Sequence, residues 1–208
     1  MNNRKSIIYI VDDDLSVCRA LSLLLKSHGF GVQTFISAEE FLTFKHFKLP
    51  SCLVSDIQLP DMNGLLLQEV MERKRISIPI VFITGHGDIP MSVKGMKAGA
   101  IDFLTKPFTK KKLLDAIRQA ISKNKIHIKK LSEISKIKRR IMSLSPRELE
   151  VFRFVSQGML NKQIASKRGI SLQTIKVHRG RVMQKMQAKT VTELIHLAQK
   201  AGFISSPR

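Results

Sequence analysis

Only two cysteines, Cys18 and Cys52, occur in 208 residues, and both keep apolar company. Buried free thiols fit better than a disulfide, which would need an oxidising compartment that nothing else in the sequence supports. No hydrophobic run approaches membrane-spanning length, and Met1 leads into a short apolar stretch and three aspartates rather than a signal peptide. The expected setting is therefore the cytoplasm, with no membrane partner. Internal repeats and low-complexity segments are also missing. Acidic residues are scarce, 16 against 36 Lys and Arg, for a formal net charge of +20. The scarcity is local. Residues 1–122 carry 16 basic and 12 acidic side chains, net +4, whereas residues 123–208 carry 20 and 4, net +16. An acidic polymer would bind the second half.

What is present suffices for real cores: 43% of the residues are hydrophobic. The first half alternates short apolar runs with longer amphipathic ones. Strands are expected at Ile7–Val11, Gly31–Phe35, Cys52–Ser55, Ile80–Thr84 and Ile101–Leu104. Helices are expected at Leu15–Ser27, Ala38–His46, Leu65–Lys74, Ile89–Ala98 and Lys110–Ser122, with Gly29, Gly64 and Gly99 as caps or turns. Repeated strand–helix order implies a parallel sheet covered on both faces. In such a sheet the C-terminal strand ends form the crevice where ligands bind. Asp12 and Asp13, Asp56, Thr84 and Lys106 all follow or close these runs. Three carboxylates, a hydroxyl and an ammonium at one spot suit magnesium and a phosphoryl group.

The stretches IVDDD, LVSDIQLPDMNG, IVFITGHGD and AIDFLTKPF resemble the receiver domains of two-component response regulators. The resemblance covers about residues 5–122 and implies a five-stranded, doubly wound sheet in 2-1-3-4-5 order. It implies Asp56 as the nucleophile that forms an aspartyl phosphate, with Mg²⁺ bound by Asp13 and Asp56, by Asp12 through water, and by the backbone carbonyl of Gln58. Lys106 would pair with the phosphoryl oxygens, aimed inward by a cis bond to Pro107. Thr84 would donate a hydrogen bond to them, and Phe103 would turn inward as the switch aromatic. Gly85 would leave space beside the site. His86 and Gln58 would lie on the phosphate path, although a bland surface role suits His86 equally well. The chemistry stands on its own: a cation offsets the repulsion between a carboxylate and an anionic phosphoryl donor. The alternative, a haloacid-dehalogenase-type phosphatase opening at Asp12-Asp13-Asp14, lacks a cap domain and a later acidic pair. It also leaves Asp56 unexplained.

Residues 123–143 contain eight Lys and Arg, one Glu, and no Gly or Pro, which excludes a simple flexible linker. Ile128, Leu131, Ile134, Ile137 and Ile141 form one apolar helical stripe with a basic back. This segment reads as a frayed, isolated helix, a continuation of the preceding helix, or a pairing surface.

Beyond it, Ser145, Pro146 and Glu148 make a strong helix start, closed by Gly158. A second helix spans about Lys162–Arg168 and stops at Gly169. Ser171 caps a third, Leu172–Met186, and a Thr190/Glu193 capping box opens a fourth that ends before Gly202. On the third helix Ile175, Val182 and Met186 share the core side. Gln173, Lys176, Val177, Gly180 and Gln184 share the other, flanked by Arg181, as a recognition helix would. Arg179 falls nearer the core side, where a structural ion pair is plausible, and His178 reads as a neutral packing residue. The segment LSPRELEVF…LAQKAG resembles the LuxR-type helix-turn-helix, and the whole chain resembles the NarL/FixJ family of response regulators. Family contacts to DNA match Lys176, Val177 and Gly180; Arg181, Gln173 and Arg179 are further candidates.

The expected fold is an α/β receiver followed by a small all-α helix-turn-helix domain. The expected domains are 1–122 (receiver), 123–142 (basic helical linker) and 143–208 (DNA binding). The expected function is a transcription regulator, not a metabolic enzyme, switched at Asp56. Its expected partners are a sensor histidine kinase, double-stranded DNA, a second copy of itself when phosphorylated, and RNA polymerase. A receiver that works as a phosphorylation-independent interaction module is the second hypothesis, and the intact Asp12/Asp13/Asp56/Thr84/Lys106 set argues against it.

Overall fold

The computed structural model of the protein describes residues 5–85 and 89–204. Two compact units divide it, residues 1–128 and 129–208.

In the first unit five strands, β1 (Ile7–Val11), β2 (Gly31–Phe35), β3 (Ser51–Asp56), β4 (Ile80–Thr84) and β5 (Asp102–Thr105), form one parallel sheet in the order β2-β1-β3-β4-β5. Successive side chains point to opposite faces, and both faces are buried, which is why the strands read as unbroken apolar runs. Ile8, Ile10, Cys52, Val54, Val81 and Ile83 pack on one face against α1 (Leu15–Ser27) and the start of α5 (Lys110–Met142). Tyr9, Val11, Leu53, Ile80 and Phe82 pack on the other. There they meet α2 (Ala38–Thr43), α3 (Gly64–Arg73) and Met91 of α4 (Ile89–Lys97).

Helix α2 stops at Thr43, short of the expected His46. Phe44 turns extended, with ψ of 128°. Its ring and that of Phe47 join Tyr9, Phe35 and Phe41 in a cluster with centroids 5.1–6.2 Å apart. The Tyr9 hydroxyl also accepts a hydrogen bond from the Lys48 amide at 2.7 Å. Burying these rings outweighs another helical turn.

The largest difference from the expected elements is α5, a single helix of 33 residues that absorbs the linker. No glycine or proline interrupts it, and its lysines and isoleucines tolerate the helix well. Asn124, 2% exposed, fixes it beyond residue 122. The Asn124 Oδ1 accepts from the Ser51 amide at 3.0 Å, and its Nδ2 donates to the Ser77 carbonyl at 3.1 Å. Of the apolar stripe, Ile137 is buried and Ile141 half-buried in the core of the second unit, while Leu131 stays 50% exposed.

The second unit adds α6 (Pro146–Ser156), α7 (Asn161–Arg168), α8 (Leu172–Met186) and α9 (Val191–Lys200). The Ser145/Glu148 capping box forms with both hydrogen bonds. Thr190 caps α9, but the Glu193 carboxylate reaches the Lys189 amide, one residue earlier than the expected box. Gly169 ends α7 at φ 64°, a left-handed conformation that glycine takes without steric cost, so α8 can turn away sharply.

Candidate phosphoacceptor site and DNA-facing helix

Strand ends bring the acidic residues together. Val11 closes β1 and pairs with Ser55, so Asp12 and Asp56 emerge side by side at the same edge of the sheet. Lys106 follows β5, joined to Pro107 by a cis peptide bond. Its Nζ donates to Asp56 Oδ2 at 2.7 Å and to Asp12 Oδ2 at 3.3 Å. The remaining carboxylate oxygens are held by the backbone: Asp12 Oδ1 accepts from the Asp14 amide at 3.0 Å, and Asp56 Oδ1 from the Gln58 amide at 2.9 Å. Each carboxylate is thereby oriented rather than free to rotate.

The electrostatics are unbalanced. Asp12 is 2% and Asp56 8% exposed, yet they share one ammonium. Burial, with a further push from the Asp56 charge, lifts the Asp12 carboxyl above its ordinary range despite the Asp14 amide and Lys106. Burial pulls Lys106 down, but the hydrogen bonds and charges of Asp56 and Asp12 together outweigh it and raise its pKa. An oxygen-only donor set with surplus negative charge fits a hard divalent cation. Asp13, next in sequence, is exposed. Among the described residues no three carboxylate, histidine or cysteine side chains gather closely enough to cage a metal.

Thr84 is buried at the end of β4, one residue past Ile83, the partner of Asp56. A Cβ on the next residue, Gly85, would meet nothing within 4 Å. His86 lies outside the described residues. Phe103 is half-buried, its ring 5.9 Å from that of Phe82.

Two further contributors carry no chemical signature in sequence. Asp61 caps α2, accepting from the Glu39 amide at 2.8 Å and the Ala38 amide at 3.3 Å, and so ties the loop after Asp56 to that helix. Gly64, first residue of α3, lies under the same loop. A Cβ there would sit 2.9 Å from the Asp56 carbonyl oxygen, 3.0 Å from Ile57 Cα and 3.0 Å from the Phe82 ring. Gly64→Ala is therefore expected to cost about 1–3 kcal/mol, as overpacked cores do. The cost should appear as a lower urea midpoint of the receiver transition; an unchanged midpoint would mean the loop yields freely.

Two family descriptions match the chain: "Response regulator receiver domain" over residues 8–118, and "Bacterial regulatory proteins, luxR family" over residues 142–198. The chain belongs to the response regulators. Response regulator protein TmoT of Ectopseudomonas mendocina is 46% identical over 200 residues, covering 96% of this chain and 91% of that protein. Transcriptional regulatory protein FixJ of Bradyrhizobium diazoefficiens is 41% identical, covering 97% and 98%. The solved structure of response regulator StyR superposes with a TM-score of 0.82 at 44% identity, covering 94% of this chain and 99% of that one. With its receiver and LuxR-type domains, this response regulator of the NarL/FixJ family is a phosphorylation-regulated, DNA-binding regulator of transcription and not a metabolic enzyme.

The helix-turn-helix of this regulator presents the expected faces. Ile175, Val182 and Met186 are fully buried beneath α8. Gln173, Lys176, Val177, Gly180, Arg181 and Gln184 are exposed, and a Cβ at Gly180 would meet nothing within 4 Å. Arg179 instead donates to Asn161 Oδ1 at 2.5 Å, bracing α8 against the first turn of α7. The His178 ring is half-buried. No helix among the described residues is long and apolar enough to cross a membrane.

Proposed function

We propose that Asp56 accepts a phosphoryl group from the phosphohistidine of a sensor kinase, and that the modified receiver promotes dimerisation and promoter binding by the C-terminal helices. The bridge from Lys106 to Asp56 and Asp12 carries this reading. An oxygen of Asp56 forms the new bond to phosphorus, the phosphorus–nitrogen bond breaks, and the imidazole leaves. Lys106 follows the charge onto the phosphoryl oxygens, and Thr84 donates to them. Phe103 then turns inward to fill the space that Thr84 leaves. Mg²⁺ would be held by Asp13, Asp56 and the Gln58 carbonyl, with Asp12 acting through water, and supplies charge compensation between nucleophile and donor. Such an ion keeps several waters and needs only one or two carboxylates, which suits a site without a full cage.

Functionally the chain divides into a receiver at 1–122, a basic helical linker at 123–142 and a DNA-binding domain at 143–208, working in the cytoplasm. Phosphorylation promotes pairing of two copies through the α4–β5 face, and the DNA-bound dimer engages RNA polymerase. Light scattering should show the mass of the full chain double after treatment with Mg²⁺ and a small phosphodonor. A phosphorylated chain that stays monomeric at tens of micromolar overturns this route to activation.

On DNA, α8 lies in the major groove. Lys176, Val177 and Gly180 face the bases there, with Gln173 and Arg181 beside them, while Arg179 supports the helix and is a contact of second choice. Lys176→Ala should weaken binding to the specific site by about 1–3 kcal/mol and relax its specificity if the lysine reads a base. Uniform weakening across sequences would assign it to a phosphate. Wild-type affinity would mean that another face of α8 docks.

A further inference from the structure

We infer that the last third of α5 is a second DNA-contacting element, a row of cations that grips the sugar-phosphate backbone beside the groove entered by α8. The inference rests on the DNA-binding role of α8. Lys129, Lys136 and Arg139 are all exposed, and among the described residues none of them comes within 4.0 Å of a carboxylate oxygen. At 3.6 residues per turn they fall within an arc of roughly 80° and span about 15 Å of helix. The one acid in this stretch, Glu133, feels the charges of Lys129 and Lys136, but its direct partner is Lys200 of α9 at 2.5 Å, so one carboxylate is shared among three ammonium groups and the row keeps a net positive charge.

Packing makes this row part of the DNA-binding unit. Ile137 is 4% exposed, sharing a core with Val182 and Met186 of α8. Arg140, adjacent to the row on the helix surface, donates to the Met186 carbonyl at 3.2 Å and to the Gln187 side chain, at the C-terminal end of α8. The cations therefore begin where the recognition helix ends and run away from it along α5.

Energetics argue for a polyanion as the occupant. Like charges three and four residues apart, as at Lys136, Arg139 and Arg140, repel each other and destabilise a helix. Favourable interaction with the C-terminal helix dipole reaches only the last turn, so Lys129 and Lys136 have only their share of the Glu133 charge to offset them. A second copy of this helix laid alongside would deepen the repulsion. A phosphate backbone removes it and gains the entropy of released counterions.

The test uses the full-length chain and a random-sequence duplex of about 30 base pairs, since backbone contacts are sequence-independent. Binding is followed by fluorescence anisotropy across a potassium chloride series. Each phosphate contact contributes about 0.9 to the slope of log K against log salt. The triple variant Lys129→Ala, Lys136→Ala, Arg139→Ala should lose about 2–3 from that slope. A control triple, Lys123→Ala, Lys130→Ala, Lys138→Ala, removes the same charge from other faces of the helix and should lose less than about 1. Equal losses in the two triples would reduce the effect to net charge and overturn the inference, as would an unchanged slope in the first. If the wild-type chain itself showed no salt-dependent binding, the reading of α8 would fall, and this one with it.

Discussion

Asp56→Asn is expected to take up no phosphoryl group, where the wild-type chain gains one. Asp56 is the carboxylate held directly against Lys106 at 2.7 Å while its other oxygen is fixed by the Gln58 amide. Asp12 also reaches Lys106, but at the longer distance of 3.3 Å, and it is the more deeply buried of the two, 2% against 8% exposed, and so less open to a donor. The substitution is nearly isosteric. An asparagine oxygen can still accept from the Gln58 amide, so the loop to α3 should hold. Removing one of two buried negative charges should also lower the Asp12 carboxyl, since the Asp56 charge is among the causes that raise it. Intact-mass measurement after incubation with Mg²⁺ and a small phosphodonor decides the matter. Equal uptake by the variant would move the nucleophile, with Asp12 the first place to look. A wild-type chain that gains nothing would return the receiver to the role of a phosphorylation-independent interaction module.

The acidic site was legible because a parallel sheet converts sequence into position. Each buried strand is an apolar run, and the residue after it is at the crevice by construction. That logic places Asp12, Asp56, Thr84 and Lys106 from the sequence alone, and helical periodicity separates Ile175, Val182 and Met186 from the Lys176 side of α8. The same logic is blind to contacts set by tertiary packing. Helix α2 ends early because Phe44 and Phe47 gain more in the Tyr9 cluster than in another turn, which no local propensity records. Asp61 reads as one of many loop acids until the α2 amides are seen against it. Gly64 reads as a cap, whereas its lack of a side chain is what the Asp56 carbonyl and the Phe82 ring require. For α5 the periodicity was present, but the choice between a frayed helix and a continuous one depended on Asn124 and Ile137, which act from opposite ends of the segment.

Glu148 shows the same limit, and it carries the second large effect. In sequence it is a capping-box acid. In the structure it is 4% exposed, and its Oε2 accepts from the Ser145 amide at 2.8 Å and from Lys185 Nζ at 2.6 Å. Lys185 lies in the last turn of α8 and also donates to the Ser143 carbonyl at 3.2 Å. One ammonium thus fastens the end of α8 to the start of α6. The Lys185 hydrogen bond, then the Ser145 amide, hold the Glu148 carboxyl down at about 2. A depressed carboxyl stabilises the folded state above its ordinary pKa, and that stabilisation is lost as pH falls toward 2. Lys185→Met keeps the aliphatic stem but leaves Glu148 buried without its cation. Breaking a fully buried pair costs about 3–5 kcal/mol. Lys185 is 39% exposed, so solvent screening lowers the expected cost to about 2 kcal/mol. For a unit of this size that is a drop in Tm of about 10 °C at pH 7. The chain has no tryptophan, and its one tyrosine, Tyr9, belongs to the receiver. Tyrosine fluorescence therefore marks the receiver transition, and the remaining calorimetric transition belongs to the helical unit. The gap between wild type and variant in that second transition should narrow steadily as the pH is taken from 5 toward 2. A gap that is the same at both ends would mean that Lys185 acts through packing, with Glu148 held by its cap alone.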